Sequence, residues 1–166
     1  MNSYSKWVAC WGNGISITEQ KEAMYAKDIT LRYPIKMCFS GDALRLHFNN
    51  FTGSETLVLT KVFVDKNQVL FNGKGECVIE PGKCVVSDEL RMDIVAGETV
   101  DVDIYLEDFT QMNAGVLITG PLSKGFYAYG DFSGGMELDM DRTRNTNWFY
   151  FLDTIDIHTA EKNHAI

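Results

Sequence analysis

The dominant period along this chain is two. Leu44, Leu46 and Phe48 alternate with Arg45, His47 and Asn49, and Val100, Val102, Ile104 and Leu106 alternate with Asp101, Asp103 and Tyr105. Successive side chains of an extended strand point to opposite faces, so this pattern sends one set into a core and the other to water. That is the signature of antiparallel sheet. The same reading predicts strands over 29–39, 56–64, 68–71, 76–79, 84–86, 90–95, 115–119 and 148–157. Turn chemistry separates them at Ser40-Gly41-Asp42, Thr52-Gly53-Ser54, Asp65-Lys66-Asn67, Asn72-Gly73-Lys74-Gly75, Pro81-Gly82 and Ala96-Gly97-Glu98. Pro34, inside a strand-like run, predicts an edge position or a bulge. Only 18–27 reads as helix, with Thr18 as its cap and Glu19 and Glu22 in its first turn. The expected fold is all-β: an antiparallel β-sandwich, jelly-roll-like (galactose-binding-like), with at most one short helix.

Composition narrows the classes of function. The 166 residues fit one domain, a sandwich over 1–158 with a tail or linker over 159–166. A formal charge of −8 without clustered Lys and Arg argues against a nucleic-acid partner and against an anionic membrane surface. No apolar run approaches the roughly 18 residues that span a bilayer. Met1-Asn2-Ser3-Tyr4-Ser5-Lys6 lacks the basic start and apolar stretch of a secretory leader. A cytoplasmic location is expected, the alternative being a secreted protein whose leader is not included. Cys10, Cys38, Cys77 and Cys84 form no Cys-x-x-Cys pair. Reduced thiols are expected, although Cys77 and Cys84 could face each other across a hairpin.

A series of local blocks carries a family likeness. In order they are Trp7-Val8-Ala9-Cys10-Trp11-Gly12, Thr30-Leu31-Arg32, the run from Gly41 to Gly53 with its Asn49-Asn50 pair, Leu70-Phe71-Asn72-Gly73, Ile79-Glu80-Pro81-Gly82, Val86-Ser87-Asp88, Asp103-Ile104-Tyr105-Leu106, Tyr129-Gly130-Asp131 and Trp148-Phe149-Tyr150-Phe151-Leu152. Their order and spacing resemble the N-terminal, non-catalytic β-sandwich domain of SGNH/GDSL-type esterases and lipases. One departure is Phe48, where the family usually has Ser before the first Asn. The resemblance implies an accessory domain that packs beside its own downstream SGNH hydrolase domain and borders that domain's cleft. The parent would hydrolyse acyl or acetyl esters, including those on carbohydrate, with its Gly-Asp-Ser nucleophile block after Ile166. No catalytic role is then expected within this chain.

The residues themselves offer little chemistry. In Gly130-Asp131-Phe132-Ser133 the Ser is displaced by one position from a Gly-Asp-Ser nucleophile and precedes Gly134-Gly135, not a helix. The family's catalytic His follows an Asp by three residues, whereas His158 follows Ile155 and His164 follows Glu161. Glu137, Asp139 and Asp141 alternate around Leu138 and Met140, which would place three carboxylates on one strand face. Calcium is the cation such oxygens suit, a solvated acidic face being the commoner use. No other cofactor is expected. Trp7, Trp11, Asn49, Asn50, Tyr129 and Asp131 are the candidates for ligand binding or domain docking. The alternative function is a stand-alone carbohydrate-binding jelly-roll module with stacking aromatics. A docking surface left uncovered would also let the isolated domain form a homodimer.

Overall fold

The structure, a computed structural model, describes residues 6–13, 24–118, 124–139 and 141–159. Every regular element among them is a strand. In chain order these are β1 (Lys6–Gly12), β2 (Tyr25–Ala26), β3 (Ile29–Lys36), β4 (Gly41–Asn49), β5 (Leu57–Leu59), β6 (Lys61–Val64), β7 (Asn67–Val69), β8 (Cys77–Ile79), β9 (Cys84–Val86), β10 (Leu90–Ile94), β11 (Thr99–Leu106), β12 (Thr110–Gln111), β13 (Gly115–Leu117), β14 (Gly125–Tyr129), β15 (Arg144–Thr146), β16 (Trp148–Tyr150) and β17 (Leu152–Thr159). A five-stranded sheet runs β1-β17-β4-β10, with β9 also paired to β4, and is called here the β4 sheet. A six-stranded sheet, the β11 sheet, runs β15-β14-β3-β11-β6-β7. Three two-stranded ribbons, β2 with β12, β5 with β8 and β13 with β16, complete the pairing. All pairs are antiparallel.

The alternation in the sequence becomes the inner faces of a sandwich. Leu44, Leu46 and Phe48 of β4 meet Ile155 and Ile157 of β17 on one side of the core. Leu31, Tyr33 and Ile35 of β3, Val102, Ile104 and Leu106 of β11, and Val62 and Val64 of β6 supply the other. Tyr33 is fully buried, so its hydroxyl needs partners. It donates to the Trp148 carbonyl at 2.9 Å and accepts the Tyr150 amide at 3.1 Å. Its ring stacks on Phe149 with centroids 4.4 Å apart. A side chain at position 125 would collide with that ring, which explains Gly125 at the start of β14. Burial pushes the Tyr33 phenol far above its ordinary range.

Several expectations need correcting. The run 56–64 is two strands, because the chain changes partners at Thr60: β5 joins β8, whereas β6 joins β11. The Thr60 amide donates to the Tyr105 carbonyl at 3.0 Å at this crossing. The run 148–157 is likewise broken at Phe151, whose φ of 70° turns the chain from the β13 ribbon into the β4 sheet. Such a backbone is strained for a bulky residue. Phe151 is held there by its own amide on the Ala114 carbonyl, 2.8 Å, and by the Asn49 amide on its carbonyl, 2.9 Å. Residues 18–23 of the expected helix lie outside the described residues. Its end, Tyr25–Ala26, is a strand, because pairing with Thr110–Gln111 supplies hydrogen bonds that local propensity does not anticipate. Pro34 lies in a central strand, yet β14 pairs with β3 only through Arg32, so one side of Pro34 has no ladder to break. The segment 136–139 is irregular and not a strand, so the expected carboxylate face over Glu137, Asp139 and Asp141 does not form.

One glycine is required by a close approach. A methyl group on Gly53 would overlap Asn50 Oδ1, and that amide is fixed by other bonds. Gly53→Ala is expected to lower stability by about 1–3 kcal/mol in denaturant unfolding. Gly73→Ala, in open space at φ 78°, should cost less.

Candidate functional site

The Asn pair closes one end of the sandwich. Asn49 is 2% exposed and Asn50 3%. Asn49 Nδ2 donates to Asp153 Oδ2 at 2.6 Å, tying the end of β4 to β17. Asn50 Nδ2 donates to the carbonyls of Glu55 at 2.8 Å and Ile79 at 3.1 Å. The Asn50 carbonyl accepts the Gly82 amide at 2.8 Å and the Gly53 amide at 3.3 Å. Nearby in sequence, Ser87 Oγ accepts the Leu46 amide at 3.0 Å, and Asp88 accepts the amides of Asn72 and Gly73 at 2.9 and 2.7 Å. Four of the blocks that carry the family likeness, at 41–53, 70–73, 79–82 and 86–88, are therefore linked in series by hydrogen bonds. Both Asn side chains are buried and hydrogen-bonded within the fold. Their role is to hold loops.

Trp7 and Trp11 do not share a face. Ala9 pairs with Asp156 and Trp11 with Ile155, leaving Cys10 as an extra residue without a partner across the ladder. This bulge reverses the alternation. Trp11 turns inward against Phe149, with centroids 5.9 Å apart. Trp7 stays on the outer face of the β4 sheet, where the Arg45 guanidinium lies 4.0 Å over its ring and the His158 ring is 5.1 Å away. Asp156 Oδ2 is 2.6 Å from His47 Nε2 and 3.2 Å from an Arg45 nitrogen. His158 Nδ1 is 2.6 Å from Asp42 Oδ1, and that hydrogen bond holds the Asp42 carboxyl below its ordinary value. The outer face of this sheet is thus a cross-strand lattice of one indole, two imidazoles, Arg45 and carboxylates.

A different arrangement covers the β11 sheet. After Tyr129, which is exposed and edge-on to Tyr127, the chain crosses the outer face of the sheet. Thr30 Oγ1 donates to the Gly130 carbonyl at 2.6 Å, Arg32 donates to the Phe132 carbonyl at 2.9 Å, and Gly134 reaches the Phe63 ring. Gly130, Gly134 and Gly135 have φ of 117°, 83° and 78°, so the crossing depends on glycine's freedom. Beneath the strap, Arg32 meets Asp103 through two bonds of 2.6 and 2.9 Å, with Asp103 fully buried. Burial would lower the Arg32 guanidinium's pKa, but the Asp103 hydrogen bonds and charge hold it above the ordinary value. The Gly135 amide adds a bond to Asp103 at 3.2 Å.

Asp131 anchors the strap. Its Oδ2 accepts Lys61 Nζ at 2.6 Å, and its Oδ1 accepts Ser133 Oγ at 2.5 Å and the Ser133 amide at 3.1 Å. Burial raises the Asp131 carboxyl, but the Lys61 and Ser133 bonds outweigh it and hold it below the ordinary 3.8. Ser133 is spent on this turn. It lies over the β11 sheet, whereas His47 and His158 lie on the outer face of the β4 sheet, so the structure does not bring them together. Further along, Asp139 forms a turn: its Oδ1 accepts the Asp141 amide at 3.0 Å and its carbonyl accepts the amides of Arg142 and Thr143 at 3.0 and 2.9 Å. Glu137, Asp139 and Asp141 are all exposed, and no group of three or more His, Cys, Asp or Glu is placed to hold a metal ion among the described residues.

Sequence pattern missed two features. Asp103 and Arg32 sit at outward positions of their strands and read as solvated; only the strap, which has no periodicity, makes them buried. Phe109 and Tyr25 stack at 5.2 Å on the surface, with the Tyr25 hydroxyl on Glu55, and no alternation marks them. No protein-family model matches this chain, and no curated protein matches its sequence.

Two substitutions check the strap. Arg32→Met leaves the Asp103 carboxylate buried without its counter-charge, and a loss of about 3–5 kcal/mol is expected in urea unfolding. Lys61→Met removes the main group that lowers Asp131. The Asp131 carboxyl resonance should then titrate at higher pH than in the wild type. Because the folded value is depressed, the stabilisation is present above the unfolded aspartate value and is lost as the pH falls through the folded one. The Lys61→Met acid transition should accordingly differ least from wild type at the most acidic end.

Proposed function

We propose that this chain is the accessory, non-catalytic β-sandwich domain of an SGNH/GDSL-type esterase, acting as a scaffold beside a catalytic domain that cleaves acyl or acetyl esters. The observation that carries the reading is the Asn50 corner. Blocks at 41–53, 79–82 and 86–88, ordered as in that family's N-terminal domain, are hydrogen-bonded to one another through Asn50 and Leu46, and 70–73 joins them through Asp88. The serine in the Gly-Asp-Phe-Ser segment supports the same reading, since its hydroxyl serves Asp131 and its neighbours are strap residues.

On this reading the outer face of the β4 sheet, with Trp7, Arg45, His47 and His158, is the surface offered to the hydrolase. An indole stacked under a guanidinium is a flat, amphipathic platform of the kind enriched at the centre of protein interfaces. The β11 sheet is less suited to docking, because its strap already covers it.

The alternative, a stand-alone carbohydrate-binding module, draws on one observation: the exposed Tyr25–Phe109 stack beside Glu55. Sugar binding that Phe109→Ala abolishes, on a glycan panel, would favour it over the accessory role.

The decisive assay is ester hydrolysis. The purified chain, tested on short- and long-acyl nitrophenyl esters, is expected to give no turnover above buffer, with Ser133→Ala indistinguishable from wild type. Turnover that Ser133→Ala removes would overturn the proposal.

A further inference from the structure

We propose that Cys10 and Cys38 form a redox modification site, in which an exposed thiol captures an oxidant and a buried one closes an intrachain disulfide. The inference is independent of the esterase reading. It starts from the bulge in β1. Cys10 has no partner across the β1–β17 ladder, and its carbonyl accepts Cys38 Sγ at 3.1 Å. Cys38 follows β3, in the connection that carries the chain from the β11 sheet to β4. Two cysteines distant in sequence are thus held side by side, with the Cys38 sulfur resting on the backbone of Cys10. Both thiols are free.

Their environments differ in the way such a relay needs. Cys38 is exposed and open to reagents, whereas Cys10 is buried and its thiol donates to the Ile155 carbonyl at 3.4 Å. Burial, with a smaller effect from Cys38, pushes the Cys10 thiol up to about 12. Cys38 is therefore the first thiol to react. With glutathione disulfide as oxidant, the Cys38 thiolate attacks one sulfur, the glutathione S–S bond breaks, and one glutathione thiolate leaves. Cys10 then attacks Cys38 Sγ, the mixed disulfide breaks, and the second glutathione departs carrying the Cys10 proton. In sum, two cysteine thiols are oxidised to one disulfide and glutathione disulfide is reduced to two glutathiones. The Cys10 thiol must leave the Ile155 carbonyl for the bond to form.

Cys77 and Cys84 supply the internal comparison. Cys77 is buried on β8 and Cys84 is exposed on β9, strands that belong to different pairings. Cys84 can capture glutathione, and the hairpin pairing with Cys77 has no structural basis in these strands.

The test is a non-reducing peptide map of the full chain after treatment with glutathione disulfide. Expected are a peptide joining Cys10 to Cys38, lighter by two hydrogens than the reduced pair, and a persistent glutathione adduct on Cys84. Cys10→Ser should leave glutathione on Cys38, and Cys38→Ser should leave Cys10 reduced. Closing a ring of this length should raise the Tm by about 10 °C. Because a high thiol pKa limits the second step, its rate should climb about tenfold per pH unit through neutrality. Glutathione retained on Cys38 in the wild type as fully as in Cys10→Ser, or Cys38 joined to Cys84 or to a second chain, would overturn the proposal.

Discussion

The geometry of one end of this protein depends on the side-chain amide of Asn50. A buried amide that loses its partners costs about 1–3 kcal/mol, so it dictates where its acceptors must be. Here those acceptors are the carbonyls of Glu55 and Ile79, one in the loop that follows β4 and one at the end of β8. With the Gly82 amide returning to the Asn50 carbonyl, the β8–β9 turn is drawn to the same point. Gly53 is the consequence, since any side chain there would take the space the amide fills. Two loops that could each sample many conformations, and the end of β8, are therefore fixed by one residue. Asn49, next along, does the same for β17 through Asp153, and the Asn49 amide holds Phe151 in its left-handed turn.

The two sheets treat their outer faces differently, and charge explains the difference. On the β11 sheet, Arg32 and Asp103 are sheltered by the strap, and a sheltered ion pair tolerates no loss of alignment. The strap's glycines and the Asp131–Lys61 bond serve that alignment. On the β4 sheet, His47, Arg45 and Asp156 remain partly hydrated, where ion pairs contribute little stability. One face is committed to the fold, and the other retains surface chemistry.

The fold was legible where the period of two was clean. Leu44 to Phe48 and Val100 to Leu106 fall in β4 and β11 with the expected residues inside, because a single buried face imposes alternation. The turns at Asp65, Asn72-Gly73, Gly82 and Gly97 were equally readable, since their left-handed backbones demand those residue types. Legibility failed where tertiary contacts rule. Tyr25–Ala26 has too few residues to declare a period, and β14, Gly-Phe-Tyr-Ala-Tyr, has aromatics on both faces. Thr60 and Phe151 give no local sign that the chain changes sheets there. The candidate site was less legible than the fold. The two tryptophans looked equivalent until a single unpaired residue between them turned them apart. Asn49 and Asn50 looked like surface groups because a polar pair after a strand usually is one.

The bulge at Cys10 also bears on how copies of this protein behave when crowded. Among the described residues β1 lies at the border of its sheet, and at such a border amides and carbonyls without a ladder partner can nucleate fibres by recruiting an identical border from a neighbour. Recruitment needs a flat, regularly spaced row. An inserted residue spoils the spacing and adds twist, so the row offers no continuous template. The kink that separates the tryptophans therefore also guards the molecule against polymerising along this margin.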